Sequence, residues 1–335
     1  MPPILKVPDD VETPLLGCIA FGVIDRGTNL LQVRPTTLCP LSCIFCSVDS
    51  GPKTSRRQAE FLVDLNYLLE TFKEVVKVKG AHNIEAHIDT VGDPLTYPHI
   101  VDLVQGLADT QGVEVVSMQT HGALLTERTV EELEEAGLSR VNLSIDALDE
   151  ELARKLSDTP SYDIERITWI AEYIAKSTNI DLLISPVWVP SLNDGEIPKI
   201  IEFALKIGAG KRWPPLGIQK MEVHKYGRKP KGVKAMTWYR FYRSLKELEA
   251  RFKVKLILSP RDFGIHKRVK VPSPFRRFEK VRVRVVGPGW LKGEKLGVAK
   301  GRTLTLVDAD QVKIGSTVSV TVIGVKDGLY IARPV

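Results

Sequence analysis

The sequence predicts an α/β fold: a curved sheet or partial barrel of parallel strands wrapped by helices, followed by a small C-terminal β-barrel. Three observations carry this. From about residue 30 to 258, short β-branched runs alternate with amphipathic helical stretches, the mark of strand–helix units with right-handed crossovers. Three of those strands alternate polar with apolar residues, so one face suits a layer of helices and the other is polar. Beyond residue 276 the pattern changes to short alternating strands cut by glycines, which suits a small closed β structure.

The elements follow in order. Residues 30–33 read as a strand, and 58–77 as a helix with Leu62, Leu65, Leu68, Leu69, Phe72 and Val75 at helical spacing. Strands are expected at 83–91, 113–120, 140–145 and 180–189, and helices at 99–108, 129–136, 163–177 and 195–207. Gly137 supplies a C-terminal stop. The polar set on the strands is Glu85, His87 and Asp89, then Ser117 and Gln119, then Asn142, Ser144 and Asp146. A doubly wound sheet, covered on both sides, would be apolar on both faces. A concave polar face instead points to a site, at the end where strand C-termini meet loops. In the last block, 281–286, 303–307, 317–323 and 329–333 read as strands. Residues 259–275, with three prolines and several cations, read as a basic linker.

The 335 residues suit about two domains. Apolar residues at 43% and charged residues at 26% exclude wholesale disorder. No apolar run approaches the roughly 18 residues that span a bilayer, and residues 1–10 carry no secretory pattern. A soluble, cytoplasmic chain with no membrane partner is expected. The net charge of +6 hides an asymmetry: residues 211–284 hold 23 Lys+Arg against 5 Asp+Glu, while the remainder holds 24 against 36. Such polarity presents one surface to a polyanion, and nucleic acid is the natural partner.

Of four cysteines, Cys39, Cys43 and Cys46 fall within eight residues. That is poor geometry for a disulfide framework and good geometry for a metal. Structural zinc takes four ligands in paired positions. The nearest histidines, His82 and His87, lie in or beside a predicted strand. Three thiolates leave one coordination position open, and an iron–sulfur cluster with one open iron fits that arithmetic better. Cys18, in the apolar run 15–23, reads as a buried, inert thiol.

The spacing Cys39, Cys43, Cys46, with Phe45 just before the last cysteine, resembles the signature of the radical S-adenosylmethionine (radical SAM) superfamily. The resemblance implies a partial (β/α)6-type barrel in which these three thiolates hold a 4Fe–4S cluster. S-adenosylmethionine then binds the fourth iron, with Phe45 near its adenine. Gly92, Asp93 and Pro94 resemble the family's Gly-Glu-Pro segment, which binds the methionine amino group; Asp93 is one methylene shorter. Gln119 opens the turn to Gly122 that follows the third strand. Asn142 to Leu148 resembles the segment whose Ser144 and Asp146 face the ribose and methionine, and Ser185 and Asn193 are implied as further cofactor contacts. The resemblance covers roughly residues 30–210.

It further implies one electron from a donor such as ferredoxin or flavodoxin, and a 5′-deoxyadenosyl radical that takes hydrogen from a substrate carbon. Methylthiotransferases of the family need three further cysteines, and the methylases that use a methyl-carrying cysteine need two; only Cys18 remains. One cluster acts alone or with a partner enzyme. Residues 313–330 resemble the end of a TRAM domain, an RNA-binding β-barrel of TRAM/OB-like kind. Cations and aromatics interleave before it, among them Trp213, Tyr226, Trp238, Tyr239, Phe241, Phe252, Phe263 and Phe275 with Lys225, Arg228 and Arg240; of these, Trp238 and Phe241 read as core. The expected organisation is an N-terminal extension (1–29), the radical SAM barrel (30–258), the linker (259–275) and the TRAM-like barrel (276–335). The expected activity is radical modification of tRNA or rRNA. The alternatives are a small-metabolite or protein substrate, or a non-catalytic RNA-binding iron–sulfur protein.

Overall fold

The computed structural model describes residues 2–335. The chain gathers into two compact units that do not follow the expected spans. One comprises residues up to 38, 54–114 and 267–335; the other comprises 39–53 and 115–266.

In the first unit, β1 (Ile4–Val7), β2 (Gly22–Asp25), β3 (Leu30–Arg34) and β4 (Glu60–Val63) precede α1 (Leu65–Val78), β5 (Ile84–Ile88) and α2 (Ile100–Ala108). β1 pairs parallel with β4, β2 antiparallel with β3, and β3 parallel with β5. The expected N-terminal extension therefore contributes two strands. The helix expected over 58–77 is corrected at its start. Residues 60–63 form a strand, and the Asp64 carboxylate accepts the Tyr67 N–H at 2.8 Å, capping α1 one residue before Leu65. Leu62 matched the helical spacing by chance, because a strand residue at the right offset is indistinguishable from a helix repeat. α1 buries Leu68, Phe72, Val75 and Val76 on one face.

The second unit holds the cysteine segment, β6 (Val113–Thr120) from residue 115 on, α3 (Glu127–Glu135), β7 (Arg140–Leu143), α4 (Glu150–Ser157) and α5 (Ile164–Ser177). It continues with β8 (Asp181–Ile184), β9 (Val187–Trp188), α6 (Glu196–Ile207), β10 (Gln219–Lys220) and α7 (Trp238–Phe252). β6, β7 and β8 are parallel neighbours, with Gln119 beside Asn142 and Asn142 beside Leu183. Side chains of Thr126, Asp149, Asp163 and Thr237 cap the starts of α3, α4, α5 and α7. α4 escaped the sequence reading; the strand expected over 180–189 is interrupted at Ser185 and Pro186 and resumes as β9.

The C-terminal block is a closed barrel in the order β11-β12-β13-β15-β14. Its strands are β11 (Lys280–Pro288), β12 (Lys295–Ala299), β13 (Arg302–Leu306), β14 (Thr317–Gly324) and β15 (Ile331–Pro334). β12 adds a fifth strand to the four expected. Val283, Val285, Leu304, Leu306, Val320 and Val322 are buried inside, each contributing about 1.5–3 kcal/mol of apolar burial. Backbone bonds tie this barrel to earlier parts of its own unit: Thr303 N–H to Leu16 O, Tyr330 N–H to Gly17 O and Gln58 N–H to Trp290 O. The second half of the expected linker is pinned there too. The Val271 N–H donates to Asp25, whose carboxylate also forms a buried ion pair with Lys79 at 2.8 Å.

Candidate active site

The cysteine loop is held by backbone bonds and one arginine. Cys46 N–H donates to Cys43 O at 3.1 Å, Ile44 N–H to Leu156 O at 2.9 Å, and Ser42 N–H to Ser157 O at 3.0 Å. Arg228 closes the loop from a distant part of the sequence. Its N–H donates to Cys46 O at 2.7 Å, its Nε to Cys43 O at 2.9 Å, and its guanidinium also reaches Ser50 O and the buried Asp49 carboxylate. Gly227 makes this approach possible: a Cβ there would lie 2.7 Å from Ser47 O and 2.9 Å from Cys46 O. In the sequence Arg228 belongs to the expected RNA-facing cations. In the structure its side chain is turned to the loop instead, with Nε and Nη2 bonded to Cys43 O and Ser50 O and Nη1 facing Asp49.

Cys39, Cys43 and Cys46 form no disulfide. Burial pushes the Cys43 thiol well above the ordinary thiol range, and the neighbouring Cys39, Asp146 and Cys46 add to the rise while Arg228 opposes it. Three neighbouring sulfurs on one short loop suit iron, whose positive charge offsets all three thiolates. Among the described residues no group of three His, Cys, Asp or Glu side chains converges on a single ion; in a cubane each thiolate holds its own iron. Ser50, whose N–H donates to Cys46 Sγ at 3.3 Å, also holds a buried hydroxyl without a protein partner. This donor set fits the cluster. Phe45 is buried within the loop, and Cys18 is buried with its thiol pushed up to about 11 by desolvation.

The polar face of β7 leads to this loop. Arg140, Asn142, Ser144 and Asp146 alternate along one side of the strand and its extension, about 6–7 Å apart. Asp146 is buried, which raises its carboxyl above the usual range against the opposing pull of His121 and the Val187 N–H. That N–H donates to Asp146 Oδ1 at 2.7 Å. Ser144 and Ser185 both meet the Gln119 amide, at 3.1 and 3.3 Å. Asn193 lies behind Asp146. It donates to the carbonyls of Asp146 and Val187 and accepts the Val189 N–H, and these bonds brace the loop. Glu196, which the sequence reading missed, accepts the N–H groups of Leu148 and Asp149 at 2.6 and 3.0 Å and fixes the turn after Asp146.

Gly92, Asp93 and Pro94 belong to the other compact unit. A Cβ on Gly92 would stand 2.0 Å from Leu38 O, so only glycine fits against the chain just before the cysteines. The buried Asp93 carboxylate caps a short 3₁₀ turn that begins with Pro94, accepting the Leu95 N–H at 3.0 Å.

Among the aromatics interleaved with cations, Trp213, Phe241 and Phe275 are buried, whereas Tyr226, Trp238 and Tyr239 are exposed. Phe241 is core as expected. Trp238 is corrected: at 54% exposure it is not core, and its ring stacks on Tyr242. Among the described residues no helix is long and apolar enough to cross a membrane.

Comparison with known proteins matches this arrangement. The model of the Radical SAM superfamily covers residues 33–204. An uncharacterized protein of Methanocaldococcus jannaschii is 44% identical over 340 residues, spanning 96% of this chain and 78% of that protein. A GTP 3',8-cyclase of Crocosphaera subtropica is 30% identical over 196 residues, 58% of this chain and 56% of its own length. The chain thus spans little more than half of that cyclase. Among solved structures, the FeFe-hydrogenase maturase HydG of Carboxydothermus hydrogenoformans aligns with a TM-score of 0.53 at 13% identity, covering 66% of this chain and 50% of HydG. The enzyme anSMEcpe with bound AdoMet aligns with a TM-score of 0.52 at 19% identity, covering 66% and 59%. Both show a shared mixed α/β fold. The family's cofactors are a 4Fe–4S cluster and S-adenosylmethionine. With the family model matched over half of this chain and a relative matched over nearly all of it, the chain belongs to the Radical SAM superfamily.

Proposed function

We propose that the chain holds its cluster through Cys39, Cys43 and Cys46, cleaves S-adenosylmethionine there, and modifies RNA, either tRNA or rRNA. When bound and given one electron by a donor such as ferredoxin or flavodoxin, the cluster and S-adenosylmethionine supply methionine and a 5′-deoxyadenosyl radical able to take hydrogen from an unactivated carbon. The chain's own residues place and shelter that chemistry. Gly92, Asp93 and Pro94 are assigned to the methionine amino group by their likeness to the family's Gly-Glu-Pro segment. Ser144, Asp146, Gln119 and Ser185 present polar groups along one strand face, and Phe45 keeps the loop dry. The observation that carries this reading is the trio of adjacent thiols at the head of a polar strand face, with buried Asp146 beside Cys43.

RNA as substrate is supported by the surface of α7 and its approach. Trp238, Tyr239 and Tyr242 are exposed on that helix among Arg240, Arg243 and Lys246, so rings can stack on unpaired bases and cations can meet phosphates. Filter binding to total tRNA and rRNA at two salt concentrations tests this. Log affinity should fall with log salt by about 0.7 per neutralised phosphate for single strands, and charge reversal at Arg240 and Lys246 should lower both affinity and slope. No binding at low salt would point to a small-molecule substrate instead, which a separate observation favours: a cavity beside the strand face.

A further inference from the structure

Between the polar face of β6–β8 and the inner side of α7 lies a cavity of about 440 Å³. It opens to solvent past Trp238 and Tyr242, and its volume falls within the range of small-molecule sites. Its walls are chemically sorted. Gln119, Asn142 and Ser185 supply the polar side, Trp238 and Tyr242 an aromatic side, and Lys220 the one cation; no carboxylate lines it.

Asn142 is oriented by a neighbour that can only donate. Arg140 Nε donates to Asn142 Oδ1 at 3.0 Å, and a guanidinium has no acceptor. The Asn142 oxygen must therefore face Arg140, which leaves its NH₂ group facing away, toward the cavity it lines. Arg140 is itself fixed, buried with its guanidinium 4.7 Å from the Trp213 ring centre and 5.0 Å from that of Phe263. Lys220 has a side chain only 5% exposed; its ammonium lies 4.8 Å from the Trp238 ring centre and 2.8 Å from Glu222. Gln119 and Ser185 belong to both this cavity and the hydrogen-bonded group that includes Ser144. Asn142 is one same-face step further from the cysteine loop than Ser144. The cavity thus opens off the expected cofactor face without coinciding with it.

We propose that this cavity is the substrate pocket and takes a planar heteroaromatic ring bearing a hydrogen-bond acceptor such as a ring carbonyl, with Asn142 as the residue that reads that acceptor. Trp238 and Tyr242 cover the ring's face, and the Asn142 NH₂ and Lys220 ammonium donate to its edge. The chemistry is that of a nucleobase, free or extruded from a strand. The assignment of substrate rests on the radical SAM reading above; the binding itself does not.

The test uses full-length protein with its cluster reconstituted and S-adenosylmethionine present. Equilibrium dialysis measures binding of guanosine and uridine, with ribose as a ring-free control, and filter binding measures a short single-stranded RNA oligonucleotide. At least one nucleoside or the oligonucleotide should bind saturably, and ribose should not. Asn142→Ala should weaken that binding about 5-fold, one neutral hydrogen bond. Asn142→Asp, nearly isosteric but turning an acceptor toward an acceptor, should weaken it further, and Trp238→Leu should weaken it independently. Iron content of each variant verifies its fold. Dependence on Asn142 for the free nucleoside identifies a small-molecule source, and dependence for the oligonucleotide alone identifies a polymer; both support the pocket. The proposal is overturned if neither probe shows Asn142-dependent binding, or if S-adenosylmethionine displaces the nucleoside, which would make the cavity its adenine site. Formation of 5′-deoxyadenosine without any substrate is followed in parallel: its absence with nucleoside binding intact would refute the radical reading and leave the pocket standing.

Discussion

Two β structures in this chain use the same alternation to opposite ends. In the C-terminal barrel the inward positions are apolar and fully buried, as at Val283, Leu304 and Val320. On β7 the corresponding positions are Arg140, Asn142 and, past the strand, Ser144 and Asp146, of which Arg140, Ser144 and Asp146 are buried and polar. Burying a polar group without a partner costs about 1–3 kcal/mol even by mutational measures. A sheet that filled this face with valine would be more stable. The polar residues on β7 are retained where they line a cavity and approach the thiols, whereas the barrel interior has no such demand. Stability and chemistry are thus separated by strand face, and substitutions in the two places should be distinguishable.

The largest effect belongs to the loop. Cys43→Ala should reduce iron after anaerobic reconstitution from about four per chain to near none, measured by iron and sulfide analysis, with the thermal transition of the apo-protein little changed. In the barrel the pattern should invert. Leu304→Ala should cost about 2–5 kcal/mol of stability through cavity formation, seen in denaturant unfolding, while folded protein retains its iron. A barrel substitution that strips iron from folded protein would erase the distinction drawn here. Arg228→Met is intermediate: the carbonyls of Cys43 and Ser50 lose donors and Asp49 loses its ion-pair partner, about 1–3 kcal/mol for each group left unsatisfied, and iron should be lost faster to a chelator with the initial stoichiometry intact. The smallest effect is expected from Asp146→Asn, which can still accept the Val187 N–H. It should weaken S-adenosylmethionine binding about tenfold, the worth of a charge-assisted hydrogen bond, without changing iron content. Equal affinity in that variant would remove Asp146 from the cofactor face.

How much of this was legible in the sequence follows from distance along the chain. The three cysteines and Phe45 lie within one short segment, and the polar alternation on β7 is local, so both could be read directly. Arg228 could not. It meets the cysteine loop across about 180 residues, and in sequence it is one cation in a basic run. Only Gly227 beside it hinted at a close backbone approach. The bracing by Asn193 and Glu196 is hidden for the same reason: each bonds to backbone groups about 47 residues away. β12 was missed because it is short, opens on Lys295 and carries Gly297 at its centre. Trp238 was assigned to the core because an amphipathic pattern does not show that a cavity, rather than packed side chains, lies beside it. The tie between the terminal barrel and residues 16–17 and 58 was also invisible, and it bears on experiment. Truncation near residue 279 would leave those backbone groups unpaired, so point charge reversals are the cleaner probe of RNA binding.

The Cys39–Cys46 loop is expected to support reductive cleavage of S-adenosylmethionine. The direct measurement is anaerobic incubation of the reconstituted full-length protein with S-adenosylmethionine and a strong reductant, quantifying 5′-deoxyadenosine and methionine together. Both products should form in equal amounts with the native chain and neither with Cys43→Ala. A fully loaded cluster that yields no 5′-deoxyadenosine, or equal yields from the Cys43→Ala variant, would contradict it.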